Sequence, residues 1–118
     1  MEIFNAIVLF NIAMRTLRFD SYVVETLMPD LVGHDQKPSA FVVYLYLWSR
    51  LAAARSKKIQ ASHQTIADDT GLSKSGVQMS IRHLVRRRLV RSELTSRTAT
   101  PVYSVLRPWR RGVPSRKA

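Results

Sequence analysis

Between Ser73 and Arg88 the residues SKSGVQMSIRHLVRRR carry side chains suited to reading and gripping a polyanion. Stepping 100° per residue along a helix puts Val77, Ile81, Leu84 and Val85 on one side, at i, i+4, i+7 and i+8. Ser75, Met79, Arg82 and Arg86 then centre the opposite side, with Gln78 and His83 on its flanks. Their chemistry suits a base-pair edge. Arg82 can make paired hydrogen bonds to guanine, Gln78 can do so to adenine, and Met79 can touch a thymine methyl. Lys74 and the run Arg86, Arg87, Arg88 suit phosphates, which fix position without reporting sequence.

Those side chains need a rigid corner before them, and the preceding residues supply one. Ser62 offers an N-cap, Gln64 to Thr70 makes about two helical turns with Ile66 and Ala67 facing inward, and Gly71 accepts a positive φ at the helix end. Ala67 is small enough for a second helix to approach closely. Leu72 plugs the corner, and Ser73 caps the next helix, expected to run to about Arg87 or Arg88. After it, Leu89–Leu94 and Pro101–Leu106 have strand character around a polar turn at 95–100 that contains Arg97.

Charge is distributed unevenly along the 118 residues, whose net charge is +11. Residues 1–55 balance Arg15, Arg18, Lys37, Arg50 and Arg55 against Glu2, Asp20, Glu25, Asp30 and Asp35. Residues 56–118 set fourteen Lys and Arg against Asp68, Asp69 and Glu93, so the whole +11 lies in that half. A polyanion-binding surface requires such an excess, whereas solubility alone does not.

The chain is long enough for one domain with a single core. It has no cysteine, which excludes disulfides, thiolate metal sites and cysteine nucleophiles and is compatible with a reducing compartment. His34, His63 and His83 lack metal-ligand spacing, and no phosphate-cradling glycine loop, nucleophile elbow or acid/base pair is evident. Neither a metal nor a cofactor is expected, and nothing supports an enzyme. No stretch reaches the roughly 18 apolar residues that a membrane span needs, and Ile3–Met14 lacks a basic flank and cleavage site, so neither an anchor nor a signal peptide is read there.

The remaining helices are scaffold. Ile3, Ile7, Phe10, Met14 and Leu17 alternate steps of four and three, which predicts an amino-terminal helix with a sticky stripe. Both packing on its own domain and a helix-to-helix homodimer contact fit it; Met14 is an alternative start. Phe19–Leu27 has a mixed helix-or-turn pattern that Met28-Pro29-Asp30 is expected to break. Asp35–Ser39 begins another helix, with Pro38 in its first turn, and AFVVYLYLWSRLAAA follows. There Phe41, Leu45, Trp48 and Ala52 form one face, which Tyr44, Leu47 and Leu51 extend. Cations at Arg55, Lys57 and Lys58 close the helix, and Ile59-Gln60-Ala61 makes a small strand. Arg107–Ala118 is expected to be largely irregular, with Trp109 folded back on the domain.

Taken together, Ile59–Leu106 resembles winged helix-turn-helix DNA-binding domains, as in MarR- and GntR-type bacterial regulators and plasmid replication initiators. TIADDTGLS matches the scaffold helix and turn, KSGVQMSIRHLVRRRLV the recognition helix and VRSELTSRTATPVYSVL the wing, while FVVYLYLWSR looks like the first helix of such domains. The implied fold is mainly α with a small β-hairpin: a three-helix core plus wing, and an extra amino-terminal helix. Three regions follow: 1–34 as a helical segment with a possible dimer contact, 35–106 as the DNA-binding domain and 107–118 as a basic tail. The resemblance implies sequence-specific duplex binding by a bacterial homodimer, cytoplasmic and nucleoid- or plasmid-associated, acting in transcription. Alternatives are a replication-initiation or partition protein, and a winged-helix module for protein or RNA. By the same resemblance Ser73, Lys74, Ser75, Gln78, Met79 and Arg82 face the major groove. Arg97 reaches a minor groove or phosphates, and Lys57, Lys58, Arg86, Arg87 and Arg88 take the backbone. Asp68 and Asp69 depart from the pattern; they either pair with arginines or keep their helix off the phosphates.

Overall fold

Pro38 opens the longest helix, α1 (Pro38–Ala54), where a missing N–H costs little because first-turn donors have no intrahelical acceptor. At the other end Arg55, left-handed at φ 53°, donates its N–H to the carbonyls of Ala52 and Leu51. These and all further coordinates come from a computed structural model that describes residues 15–110. Ala40, Phe41, Val43, Tyr44, Leu47, Trp48 and Leu51 are buried along α1, so its inner face centres nearer Tyr44 and Leu47 than the stripe read from sequence. Ala52 is exposed and Leu45 only half-buried.

After α1 come β1 (Ile59–Gln60), α2 (His63–Thr70), α3 (Lys74–Arg86), β2 (Val90–Glu93) and β3 (Val102–Val105). The strands form one antiparallel sheet in the order β1-β3-β2, so the molecule is mainly helical with a small three-stranded sheet. Tyr103 at its centre pairs with Ile59 on one side and Ser92 on the other. Its side chain is fully buried with Ile59 and Val90, which gives the sheet one apolar face toward the helices. Tyr44 joins α1 to the sheet's end by donating its hydroxyl to the Leu106 carbonyl at 3.0 Å.

Upstream of α1 the expected break does not occur. Wide π-helical turns span Val23–Leu27 and Pro29–His34, and the chain stays helical through Met28. A proline ring inside an α-helix collides with the carbonyl four residues back. The π turns, closed here by bonds such as Met28 N–H to Val23 O and Asp35 N–H to Asp30 O, leave room for it. Val23, Leu27 and Leu31 thereby sit one above another and enter the same core as α1, α2, α3 and the sheet. The boundary drawn at residue 34 thus runs through continuous packing.

The other end folds back as well. Of the tail expected to be largely irregular, residues 111–118 lie outside the described residues, and Pro108–Arg110 form a helical turn. Trp109 stacks on Tyr22 at 4.4 Å between ring centres and donates its indole N–H to Asp20 at 2.8 Å. Of the proposed dimer stripe, Ile3, Ile7, Phe10 and Met14 lie outside the described residues, and Leu17 is exposed. No helix among the described residues is long and apolar enough to cross a membrane.

Candidate functional site

The corner between α2 and α3 is held by local hydrogen bonds that the sequence pattern anticipates. Ser62 Oγ accepts the Thr65 N–H at 3.0 Å, and Ser73 Oγ accepts the Gly76 N–H at 3.0 Å, so each helix has a side-chain cap. Gly71 sits at φ 86°, where a Cβ would strain the backbone. Thr70 Oγ donates to Ile66 O at 2.7 Å and accepts the Leu72 N–H at 3.3 Å, a second latch with no signature in the motif as read. Gly76 matters too, since a Cβ there would stand 3.0 Å from the capping Ser73 Oγ.

Along α3 the buried set is Val77, Ser80, Ile81 and Leu84. Val85, expected inside, is 41% exposed, while Ser80, which nothing in the pattern marks as core, is 3% exposed. The stripe is turned by about one residue, which a small side chain such as Ser80 permits. The outward side is otherwise as phased: Ser73, Lys74, Ser75, Met79, Arg82 and Arg86 are all exposed, and Gln78 is half-buried at the edge. Among the described residues none of Lys74, Arg82 or Arg86 has a carboxylate partner.

Two groups at the end of α3 are differently employed. Arg87, expected to grip phosphate, pairs with Asp30 and, at 3.4 Å, with Asp35. His83 places Nε2 2.8 Å from Asp35 and is 12% exposed in its side chain, so it is not a flank of the outward face. Asp35, 8% exposed in its side chain, is the hub of this cluster. Hydrogen bonds from His34 and then His83, with the Arg87 charge, hold its carboxyl below the usual range although burial pushes upward. The cluster joins α3 to the π-helical segment; it removes Arg87 from the candidate surface.

The remaining cations separate in the same way. Arg97, at the tip of the turn between β2 and β3, is exposed, as are Lys57 and Arg88. Lys58 lies 3.2 Å from Glu93 in an exposed pair of little energetic weight. On α2, Asp69 accepts the Tyr46 hydroxyl and lies 3.9 Å from Arg50, the first of the two roles expected for it, while Asp68 accepts from Gln64 at 2.8 Å. His63, at the start of α2, has its pKa lowered by burial and by nearby Lys74, which favours a neutral ring.

Asp30, His34 and Asp35 have ligand atoms within 4.8 Å of one another, close enough to hold a metal ion. The Arg87 guanidinium already lies against both carboxylates, however, and a cation would have to displace it. The arrangement therefore works as an ion-paired clamp between segments.

No family model matches the sequence, and neither the curated proteins nor the solved structures contain a significant match.

Proposed function

We propose that the chain binds duplex DNA in the manner of a winged helix, with α3 entering the major groove and the β2–β3 turn reaching the adjacent backbone or minor groove. The observation that carries this reading is the division of α3. One side is buried on Val77, Ser80, Ile81 and Leu84, and the other presents Ser75, Met79, Arg82 and Arg86 with no carboxylate among the described residues to occupy the cations. The element order supports it: α1, β1, α2, α3, then a hairpin completing the sheet, is the order such domains use. Ser75, Gln78, Met79 and Arg82 would read base edges, and Lys74, Arg86 and Arg97 would hold phosphates.

A homodimer on a twofold axis, addressing half-sites about one helical turn apart, is part of the proposal, as is a transcriptional role in the bacterial cytoplasm on nucleoid or plasmid DNA. The test is binding to duplex oligonucleotides across a range of salt. With about six phosphate contacts the slope of log K against log salt should be near −5. A flat slope, or preference for single strands, overturns the reading. Selection from random duplexes then separates roles: paired half-sites fit a regulator, whereas an array of direct repeats fits replication initiation.

A further inference from the structure

A second basic feature shares no residue with the outward side of α3. Past the end of that helix, beside β2 and β3, lies a cleft of about 930 Å³ whose charged lining consists of arginines alone. Two of them are engaged: Arg87 with Asp30 and Asp35, and Arg110 with Asp20 at 2.6 Å. Arg88, Arg91 and Arg107 have no carboxylate partner among the described residues, and no acid lines the cleft. Five arginines with fewer carboxylates beside them repel one another, so the arrangement gains most when an anion enters.

Arg107 is the best placed. Its guanidinium lies over the Trp48 ring at 4.2 Å, which holds its plane, and its Nε is buried with no hydrogen-bond partner among the described residues. Arg88 occupies the left-handed position that ends α3, at φ 59°, where glycine would be less strained. The floor between the arginines is apolar, built from Val85, Val90, Val105 and Pro108. A smaller cleft of about 320 Å³ shares Arg91, Val105 and Arg107 with the first and adds Lys57 and Lys58.

We propose that this cleft binds a small phosphorylated organic ligand of the nucleotide class, its phosphates on Arg88, Arg91 and Arg107 and its flat body on the apolar floor. Three unpaired guanidiniums match a group of charge −2 or more better than a single carboxylate, and the planar fork suits bidentate phosphate binding. A volume near 900 Å³ is at the upper end for small-molecule sites. Duplex backbone phosphates need only exposed cations such as Arg86, whereas a recess with an apolar floor suits a compact ligand. The adjoining lysines extend the cationic track, which favours several phosphates over one. The cleft stands apart from the DNA reading, and either can fail alone.

The test is titration of the full chain with inorganic pyrophosphate, AMP and ATP at about 0.15 M salt, where diffuse attraction is largely screened. Calorimetry and the fluorescence of Trp48, which lies beneath Arg107, provide the readouts. ATP should bind saturably and more tightly than AMP. Arg91→Gln and Arg107→Gln should each weaken ATP by about tenfold or more, while Lys37→Gln, which removes one exposed charge elsewhere, should leave it unchanged. Arg91 is exposed, so its substitution probes the cleft even where Arg107→Gln disturbs folding. Three results overturn the proposal: no saturable binding of any probe, equal losses in Arg91→Gln and Lys37→Gln, or binding of pyrophosphate as tight as ATP. Loss of duplex binding in Arg91→Gln with no nucleotide binding by the parent would assign the cleft to DNA instead.

Discussion

Arg87→Ala and Arg82→Ala remove the same charge five residues apart, yet they should fail in different assays. Arg82 is exposed and has no carboxylate partner among the described residues, so truncating it should leave the melting temperature within about 2 °C of the parent. In the DNA reading it removes a paired contact to one base, costing about 1 to 3 kcal/mol on the preferred site and much less on random duplex. Arg87 is a third exposed in its side chain and lies against Asp30, also partly exposed, and the nearly buried Asp35. Its loss leaves Asp35 with its hydrogen bonds from His34 and His83 but without the charge opposite. Breaking a deeply buried pair costs about 3 to 5 kcal/mol and an exposed one less than about 1, so an intermediate pair should cost about 1 to 2 kcal/mol. For a chain of this size that is a fall of roughly 5 to 10 °C. Thermal unfolding followed by circular dichroism, with fluorescence anisotropy on specific and random duplexes well below the transition, separates the two. If Arg87→Ala melts with the parent and loses affinity on all DNA alike, the ion-paired clamp is the wrong account of that residue. If Arg82→Ala loses equally on specific and random sites, the assignment of the outward face is wrong.

Two further outcomes follow from groups that join distant segments or carry strain. Asp20 accepts hydrogen bonds from Arg110 and Trp109, which hold its carboxyl at about 2 rather than 3.8, the Arg110 bond contributing most and burial opposing it. A depressed carboxylate stabilises fully above its unfolded value and loses that contribution as pH falls through about 2. The stability gap between parent and Asp20→Asn should therefore be about 1 to 2 kcal/mol at pH 6, after solvent screening, and close steadily between pH 4 and pH 2 in urea titrations; a gap independent of pH would contradict the ion-pair account. Arg88→Gly should relieve the left-handed strain at φ 59° and raise the melting temperature by a few degrees, for about 0.5 to 1 kcal/mol, while weakening anion binding in the cleft. A lower melting temperature would mean that the Arg88 side chain packs more than it strains.

What could be read from the sequence was local. The caps at Ser62 and Ser73, the turn at Gly71 and the two strands around the 95–100 turn depend on residues within four positions, and the structure has the caps and turn where the pattern puts them and each strand end within one residue of it. The misreadings needed a distant partner to resolve. Pro29 reads as a stop because an α-helix cannot accept it. Whether wide turns form instead depends on Val23, Leu27 and Leu31 finding a core to enter. Along α3 the apolar spacing at i, i+4, i+7 and i+8 puts Val85 inside. Its neighbours across the fold admit Ser80 there and leave Val85 on the arginine cleft.

Charge shows the same limit most sharply, because the balance of each half conceals where its acids go. Asp20, Asp30 and Asp35 belong to the electrically neutral half, yet they pair with Arg110, Arg87 and His83 of the basic half. The run Arg86-Arg87-Arg88 contains three identical side chains that sequence cannot distinguish. Tertiary neighbours give the middle one to a clamp and leave the outer two without carboxylates among the described residues, one on the outward side of α3 and the other on the cleft. The full +11 is therefore not all available beside α3. Among the described residues outside the cleft, the cations left there and on the hairpin are chiefly Lys74, Arg82, Arg86 and Arg97, with Lys57 and the weakly paired Lys58 near the sheet. Since each phosphate neutralised contributes about 0.9 to the slope, these six groups together account for about −5 per protomer, and a dimer engaging both sets should give about −11.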